Sequence, residues 1–383
     1  MTWQVSTVVD KRRELVQAVT VGGERMSDVC RRLEVSRQTG YKFLARAREE
    51  GDAGLEDRSR RPKSSPRRTP AEMEERVCEL RRLRPAWGGR KLHHRLKAMG
   101  VLDVPSPSAI TDILARNGLL DPGRRTRRDW QRFEAEAPNQ MWQMDFKGDF
   151  ALSSSGRCYT LTVLDDHSRF NLCLQACANQ RRETVQSQLL TVFASYGLPE
   201  MILVDNGSPW GSGYSRQPHT AFTAWLIRLG IYVSHGRPYH PQTRGKDERF
   251  HRSLDEEVLL GRQWLDLVMV QLALDPWRSI YNLERPHEAL GYAVPASRYV
   301  SSTRELPSLL PPLEYRSTDE VRKVQASGEI YFRGRELKVG RAFRGEAVAL
   351  RPTEAEGVLD VYYAQQRIGR VDLRSPLLDD PDV

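Results

Sequence analysis

Through the first third of the chain, apolar positions recur every three to four residues, which is helical spacing. "KRRELVQAVT" places Leu15, Val16 and Val19 on one face. "MSDVCRRLEV" predicts a second short helix with Ser27 as its N-cap, and "SRQTGYKFLARARE" a third capped by Ser36. A polar Pro/Arg/Ser stretch spans 51–70. Helical spacing then returns over 71–118, in "AEMEERVCELRRL", "GGRKLHHRLKAMG" and "SPSAITDILARNGLL". A basic connector occupies 119–138, and from 139 the pattern changes. "MWQMDF" predicts a short strand ending near Asp145. "RCYTLTVLDD" and "RFNLCLQAC" predict two more strands, spaced for an antiparallel meander. "RETVQSQLLTVFASYG" predicts a helix, "PEMILVDNGS" an apolar strand running into Asp205, "HTAFTAWLIRLG" a helix and "IYVSH" a strand. Residues 301–328 are Pro-rich and irregular, and 329–375 alternate in short β segments between Gly turns.

These elements imply a multidomain chain. A helix-turn-helix front end covers 1–50, with a linker at 51–70. A second helical unit covers 71–118, with a connector at 119–138. The core at 139–300 has three strands in series followed by alternating helix and strand, the chain order of an α/β ribonuclease H-like fold. After a linker at 301–328, a small all-β SH3-like barrel fills 329–375.

Charge sharpens this division. Residues 1–138 hold 30 Lys and Arg against 20 Asp and Glu, whereas 139–383 hold 29 against 30. A basic front on a near-neutral rear points to a polyanion partner, most simply double-stranded DNA. In the third helix Arg37, Gln38, Thr39 and Lys42 stand at the N-terminal end, where a recognition helix reads base edges. The final helix of the second unit resembles another such helix but carries only Arg116 as a base. The cysteine count is 5, with no C-x-x-C pair and no secretory or membrane-length apolar run. That pattern predicts a reduced cytoplasmic protein, nucleoid-associated through its DNA, with no membrane contact and no structural zinc. The pair His93-His94 reads as a helix surface.

The densest charge lies in "HPQTRGKDERFHRSLDEEV", residues 240–258, with five carboxylates among 19 positions. On a helical wheel Phe250, Leu254 and Val258 form one stripe with Asp247 near its centre, while Glu248 lies about 120° away. Asp255, Glu256 and Glu257 read as solvent-facing. Alone, this is a salt-bridged helix face. Asp145 and Asp205 change the picture. An acid at a strand end opens onto a cleft, and two on neighbouring strands joined by a helical third make an all-oxygen site for Mg²⁺, with Mn²⁺ as the substitute. Two ions roughly 3.5–4 Å apart would clamp the attacking and leaving oxygens of a phosphodiester.

"QMDFKG", "LVDNGSPW" and "HPQTRGKDERFHRSL" resemble the three catalytic segments of DDE transposases and retroviral integrases. "YNLERPHEALGYAVPASRY" is similar to the end of that core in insertion-sequence transposases. The resemblance implies Asp145, Asp205 and Glu248 as metal-binding catalytic residues. It also implies cleavage of terminal inverted repeats and transfer of the 3′ ends into target DNA. The 42 residues between Asp205 and Glu248 are more than this class usually carries, and "SPWGSGYSRQPH" is the apparent insertion. Arg244, Lys246, Arg249 and Arg252 stand beside the site as phosphate holders, and His240 and His251 read equally as DNA-positioning or surface residues. Trp210 reads as a core side chain, with base stacking as the alternative. Two ends must be processed by chains with one such site each, so a homo-oligomer of at least two chains is expected on DNA. Two other readings fit parts of the pattern: a DNA-binding regulator with an inactive core, and a nuclease without strand transfer.

Overall fold

The computed structural model describes residues 7–58, 69–120, 134–211, 218–236 and 245–374, with the backbone of 378–379. It divides into two compact units, Met1–Arg68 and Thr69–Val383.

The first unit contains α1 (Val8–Thr20), α2 (Met26–Arg32) and α3 (Arg37–Glu50). Leu15, Met26, Val29, Cys30 and Leu44 form its core. Ser36 caps α3 as expected, its hydroxyl accepting from the Thr39 amide at 3.1 Å. Ser27 does not cap α2. That helix starts two residues earlier, behind Arg25 as N-cap, and Met26 is buried as its first residue, because an apolar anchor outweighs a cap worth about 1 kcal/mol. The α2–α3 crossing depends on Gly40: a Cβ there would stand 2.6 Å from Cys30 Sγ and 2.7 Å from Met26 Sδ.

The second unit begins with α4 (Ala71–Leu83), α5 (Gly89–Ala98) and α6 (Pro107–Arg116), packed around Trp87, Leu92, Leu96 and Ile113. The central sheet comprises β1 (Met141–Ala151), β2 (Arg157–Asp165), β3 (Asn171–Cys177), β4 (Met201–Val204) and β5 (Tyr232–His235), in the order β3-β2-β1-β4-β5. The first three strands run antiparallel, and β4 and β5 join parallel. This is the ribonuclease H-like arrangement. Strand β1 does not stop near Asp145. It continues through a register shift between Phe146 and Asp149 to Ala151, so Asp145 is mid-strand. The polar "KGD" after Phe146 hides this extension, because a bulge breaks the two-residue alternation.

Helices α7 (Arg182–Tyr196) and α8 (Ala221–Arg228) share the larger apolar cluster with the sheet, through Trp142, Val185, Phe193, Ile202 and Phe222. A second cluster joins Leu164 and Leu174 to α9 (Gly245–Leu254) and α10 (Leu267–Leu283) through Phe250, Leu254, Val258, Trp277 and Tyr281.

The C-terminal strands are β6 (Glu320–Lys323), β7 (Glu329–Phe332), β8 (Arg335–Lys338), β9 (Ala347–Pro352), β10 (Val358–Tyr363), β11 (Gln366–Asp372) and β12 (Leu378–Asp379). They form a five-stranded antiparallel sheet and a two-stranded ribbon, compatible with an SH3-like domain though not a closed barrel among the described residues. Strand β6 lies inside the stretch read from sequence as linker; it pairs with β9, a partner some twenty-five residues away that local pattern cannot reveal. The C-terminal domain also covers the edge of the central sheet. The Gln366 side chain, 3% exposed, accepts from Val233 N at 2.9 Å and donates to Val233 O at 2.8 Å, occupying ladder groups that an edge strand otherwise leaves open.

Candidate active site

Strands β1 and β4 pair in parallel, with Met141 opposite Met201 and Gln143 opposite Leu203. Asp205 directly follows Val204, the last residue of β4, and continuing that register by two residues would bring it opposite Asp145. Asp205 is oriented by its own loop. Its Oδ1 accepts from the Gly207 amide at 2.7 Å and from Trp210 Nε1. A Cβ on Gly207 would come within 3.1 Å of that oxygen, so glycine permits the tight return. Trp210 is 1% exposed and stacks on Phe146, with ring centroids 5.3 Å apart. It is a core side chain that also donates to Asp205, a role its sequence context did not signal; base stacking is excluded by its burial.

Helix α9 packs against the sheet on the side of Asp145. Phe250 and Leu254 are buried, as the wheel requires, as is Asp247; Glu248, Arg249 and Arg252 are exposed. Tyr281 and Trp277 grip Phe250, with centroids at 4.8 and 5.4 Å. His251 points at the sheet. Its Nε2 is 2.9 Å from Thr162 Oγ1, and that hydroxyl donates to Asp145 O at 3.0 Å. Burial, aided by the Lys147 charge, pulls the His251 pKa down to about 4, so its imidazole is neutral at pH 7. His251 is therefore neither a surface histidine nor an exposed DNA contact; it links α9 to the strand of Asp145. His240 and Arg244 lie outside the described residues.

Lys246 is placed differently from its two basic neighbours. Its amine is 2.5 Å from Asp166 Oδ2, with only 15% of the side chain exposed. Burial and Arg169 lower its pKa, while Asp166 opposes that shift. The acidic run that follows also departs from expectation. Residues Asp255–Leu259 form a π turn. Asp255 pairs with Lys147 at 2.6 Å, and Glu257 is buried, accepting from Trp277 Nε1 at 2.8 Å and pairing with Arg285. Reading these acids as solvent-facing missed partners that lie far away in the chain.

Asp145, Asp205 and Glu248 offer only carboxylate oxygens, the donor chemistry of a hard divalent cation. Among the described residues, no three His, Cys, Asp or Glu side chains already form a metal-binding cluster.

At the front end, Arg37, Gln38 and Lys42 are exposed together at the start of α3, and Thr39 is half-buried against Ser36. Tyr41, 59% exposed between Gln38 and Lys42, is a further candidate for touching DNA on that face. In the second helical unit the cations are largely engaged. Arg116 pairs with Glu74, Arg90 with Glu288 and Arg95 with Glu284. His94 stacks on Tyr292 at 4.2 Å and His93 Nδ1 lies 2.7 Å from Pro105 O, so the histidine pair is half-buried in packing. No helix among the described residues is long and apolar enough to cross a membrane.

Comparison with known proteins agrees with this architecture. The integrase core domain matches residues 135–241, and a second integrase core description matches 229–295. Residues 319–376 match the C-terminal domain of IS481 family transposases. A helix-turn-helix domain matches 11–63 and a homeodomain-like domain 39–114. The uncharacterized 31.7 kDa protein of insertion element IS407 from Burkholderia multivorans is 26% identical over 227 residues, covering 58% of this chain and 78% of that protein. The uncharacterized 39.2 kDa protein of insertion element IS476 from Xanthomonas euvesicatoria is 30% identical over 159 residues, covering 42% and 44%. The Pro-Pol polyprotein of Simian foamy virus type 1 is 30% identical over 143 residues, 36% of this chain and 12% of that polyprotein. A simian T-cell lymphotropic virus intasome chain covers 79% of this chain and 98% of its own at 17% identity, but with a TM-score of 0.38 it adds nothing to the strand order. With an integrase core in the middle and an IS481-type domain at its end, the chain belongs among the DDE transposases of insertion sequences.

Proposed function

We propose that the protein binds the terminal inverted repeats of its element through its helix-turn-helix front end, cuts the ends in a Mg²⁺-dependent reaction, and transfers the exposed 3′-hydroxyls into target DNA. The observation that supports this reading is the parallel pairing of β1, which bears Asp145, with β4, which runs into Asp205, together with the tie from α9, the helix bearing Glu248, through His251 and Thr162 to the Asp145 carbonyl. In this reading the three carboxylates hold the metal, two Mg²⁺ ions with Mn²⁺ as the substitute. When bound, the ions supply positive charge that activates the attacking oxygen and stabilises the leaving one.

The chain's own groups do the positioning. Gly207 and Trp210 fix the Asp205 carboxylate. Thr162 and His251 hold α9 against the strand of Asp145, and His251, neutral at pH 7, adds no cation there. Arg249 and Arg252, exposed on the same helix, are suited to hold the phosphates flanking the scissile bond. Lys246 is the weakest of the proposed phosphate holders, since Asp166 already engages it. Arg37, Gln38, Thr39 and Lys42 read the repeats. Two ends require at least two chains, so the working form is a homo-oligomer on DNA.

The test is a cleavage assay on duplexes carrying the element's ends. Asp145→Asn, Asp205→Asn and Glu248→Gln should each abolish cutting while gel-shift affinity stays near wild type. An Asp247→Asn chain that loses cutting beside a Glu248→Gln chain that keeps it would transfer the third role to Asp247.

A further inference from the structure

Asp166 follows the last residue of β2 and has 0% of its surface exposed. Its Oδ1 accepts from Gln143 Nε2 at 2.6 Å and its Oδ2 from the Ala135 amide at 2.7 Å. Lys246 adds the ion pair at 2.5 Å and a second bond to the Asp166 carbonyl at 3.2 Å. Each partner has a telling position. Gln143 is two residues before Asp145 on β1, and strand residues two apart face the same side. Lys246 is two residues before Glu248 in the first turn of α9. One buried carboxylate thus grips two of the three elements that carry proposed metal ligands, just upstream of the ligand on each.

The second attachment of α9, His251 to Thr162, lies on the other side of Glu248. The helix is pinned to the sheet at residues 246 and 251, with Glu248 between the pins. Nothing in the catalytic reading requires Asp166 to touch DNA or metal, and its burial prevents it. Its expense is considerable, because a charge taken out of water is tolerated only with good partners. A structural role alone would be served as well by an apolar residue; a link between two ligand-bearing elements calls for directional bonds.

We propose that Asp166 is a positioning residue that, through Gln143 and Lys246, sets the distance between the Asp145 strand and the Glu248 helix and so presets the metal site. This rests on Asp145 and Glu248 being metal ligands, as proposed above. Releasing one pin lets the first turn of α9 drift, and a displacement near 1 Å at such a site costs on the order of 100-fold in rate.

The experiment uses the full chain and Mg²⁺ alone, followed by calorimetry, with nicking of supercoiled plasmid as a parallel readout. Asp166→Asn and Lys246→Gln should each raise the Mg²⁺ dissociation constant and the half-saturating Mg²⁺ for nicking at least about tenfold, and Lys246→Arg should recover most of the loss. The double variant should be no worse than the poorer single, since both break one pair. If Asp166→Asn does not fold, Lys246→Gln and its Arg rescue decide the matter. Folded variants with wild-type Mg²⁺ affinity and half-saturation would overturn the proposal, provided Asp145→Asn loses Mg²⁺ binding in the same series. An Asp145→Asn chain that binds Mg²⁺ like wild type would instead overturn the underlying reading of the site, and this inference with it.

Discussion

Replacing Glu257 with Ala should be the most destabilising single change among the charged residues that follow α9. The side chains of Glu257 and Arg285 are 6% and 5% exposed and form an ion pair. Glu257 also accepts from Trp277 Nε1 at 2.8 Å, while Arg285 donates to Ser253 Oγ at 3.0 Å and lies 6.0 Å from the Tyr281 ring centroid. Glu257→Ala leaves the guanidinium buried with the Ser253 hydroxyl and the Tyr281 face, and removes the acceptor from a buried indole N–H. Breaking a buried pair from one side costs about 3–5 kcal/mol. With a urea m-value of about 3 kcal/mol/M, a loss of about 4 kcal/mol lowers the unfolding midpoint by roughly 1.3 M. Tryptophan fluorescence reports it directly, since Trp277 is one of the partners. A Glu257→Leu/Arg285→Met chain, which removes both charges, should regain most of that loss. A Glu257→Ala midpoint within about 0.3 M of wild type would refute the reasoning, because a solvated glutamate is worth under about 1 kcal/mol.

Acid should weaken the fold through buried imidazoles. Burial lowers His251 to about 4, with Lys147 adding to the shift, and lowers His219 to about 3, with His235 adding. The unfolded chain titrates near 6.5, so the stability these groups contribute is complete above that pH and is lost as pH falls from 6.5 toward 4. Urea midpoints at pH 7 and 4.5 should differ less in His219→Asn and His251→Gln chains; an unchanged difference would count against their burial as neutral rings. All five cysteines are buried, and burial pushes Cys173 up to about 12 and Cys177 to about 11. Native protein at pH 8 should therefore resist a thiol reagent that labels all five after unfolding, and rapid labelling of Cys173 or Cys177 would contradict this. At the front end, Arg37→Ala or Gln38→Ala should weaken binding to repeat DNA more than to random duplex, with the log–log salt slope flattening by about 0.9 for each phosphate that the variant no longer neutralises; equal weakening on both duplexes would remove α3 as the reading helix.

Much of the fold is legible in local pattern. The Phe250, Leu254 and Val258 stripe orients α9, Ser36 caps α3, and the order of strands and helices over 139–235 yields the ribonuclease H-like core. The candidate site is legible as residue types in three segments. What pattern misses is long-range pairing. Glu257 looks solvated until Arg285 and Trp277 come up beneath it from α10 and the turn beyond. Strand β6 looks like linker until β9 supplies its ladder. Arg116 looks like a DNA-binding side chain until Glu74 takes it. Asp166 sits in "LDDHSR", which reads as a turn, and only the folded chain brings Gln143 and Lys246 to it. In each case a polar or charged side chain has its partner in another element, information that hydrophobic spacing does not carry.

The central claim is that three carboxylates from two strands and one helix run DNA strand transfer. It is tested most directly by incubating the full chain with Mg²⁺, a labelled duplex ending in a 3′-hydroxyl terminal repeat, and supercoiled plasmid, then measuring label covalently joined to plasmid. Wild-type protein should join label, and Asp145→Asn, Asp205→Asn and Glu248→Gln should join none while still shifting the duplex. Joining by Glu248→Gln at the wild-type rate, or plasmid nicking by wild type with no joined label, would contradict it.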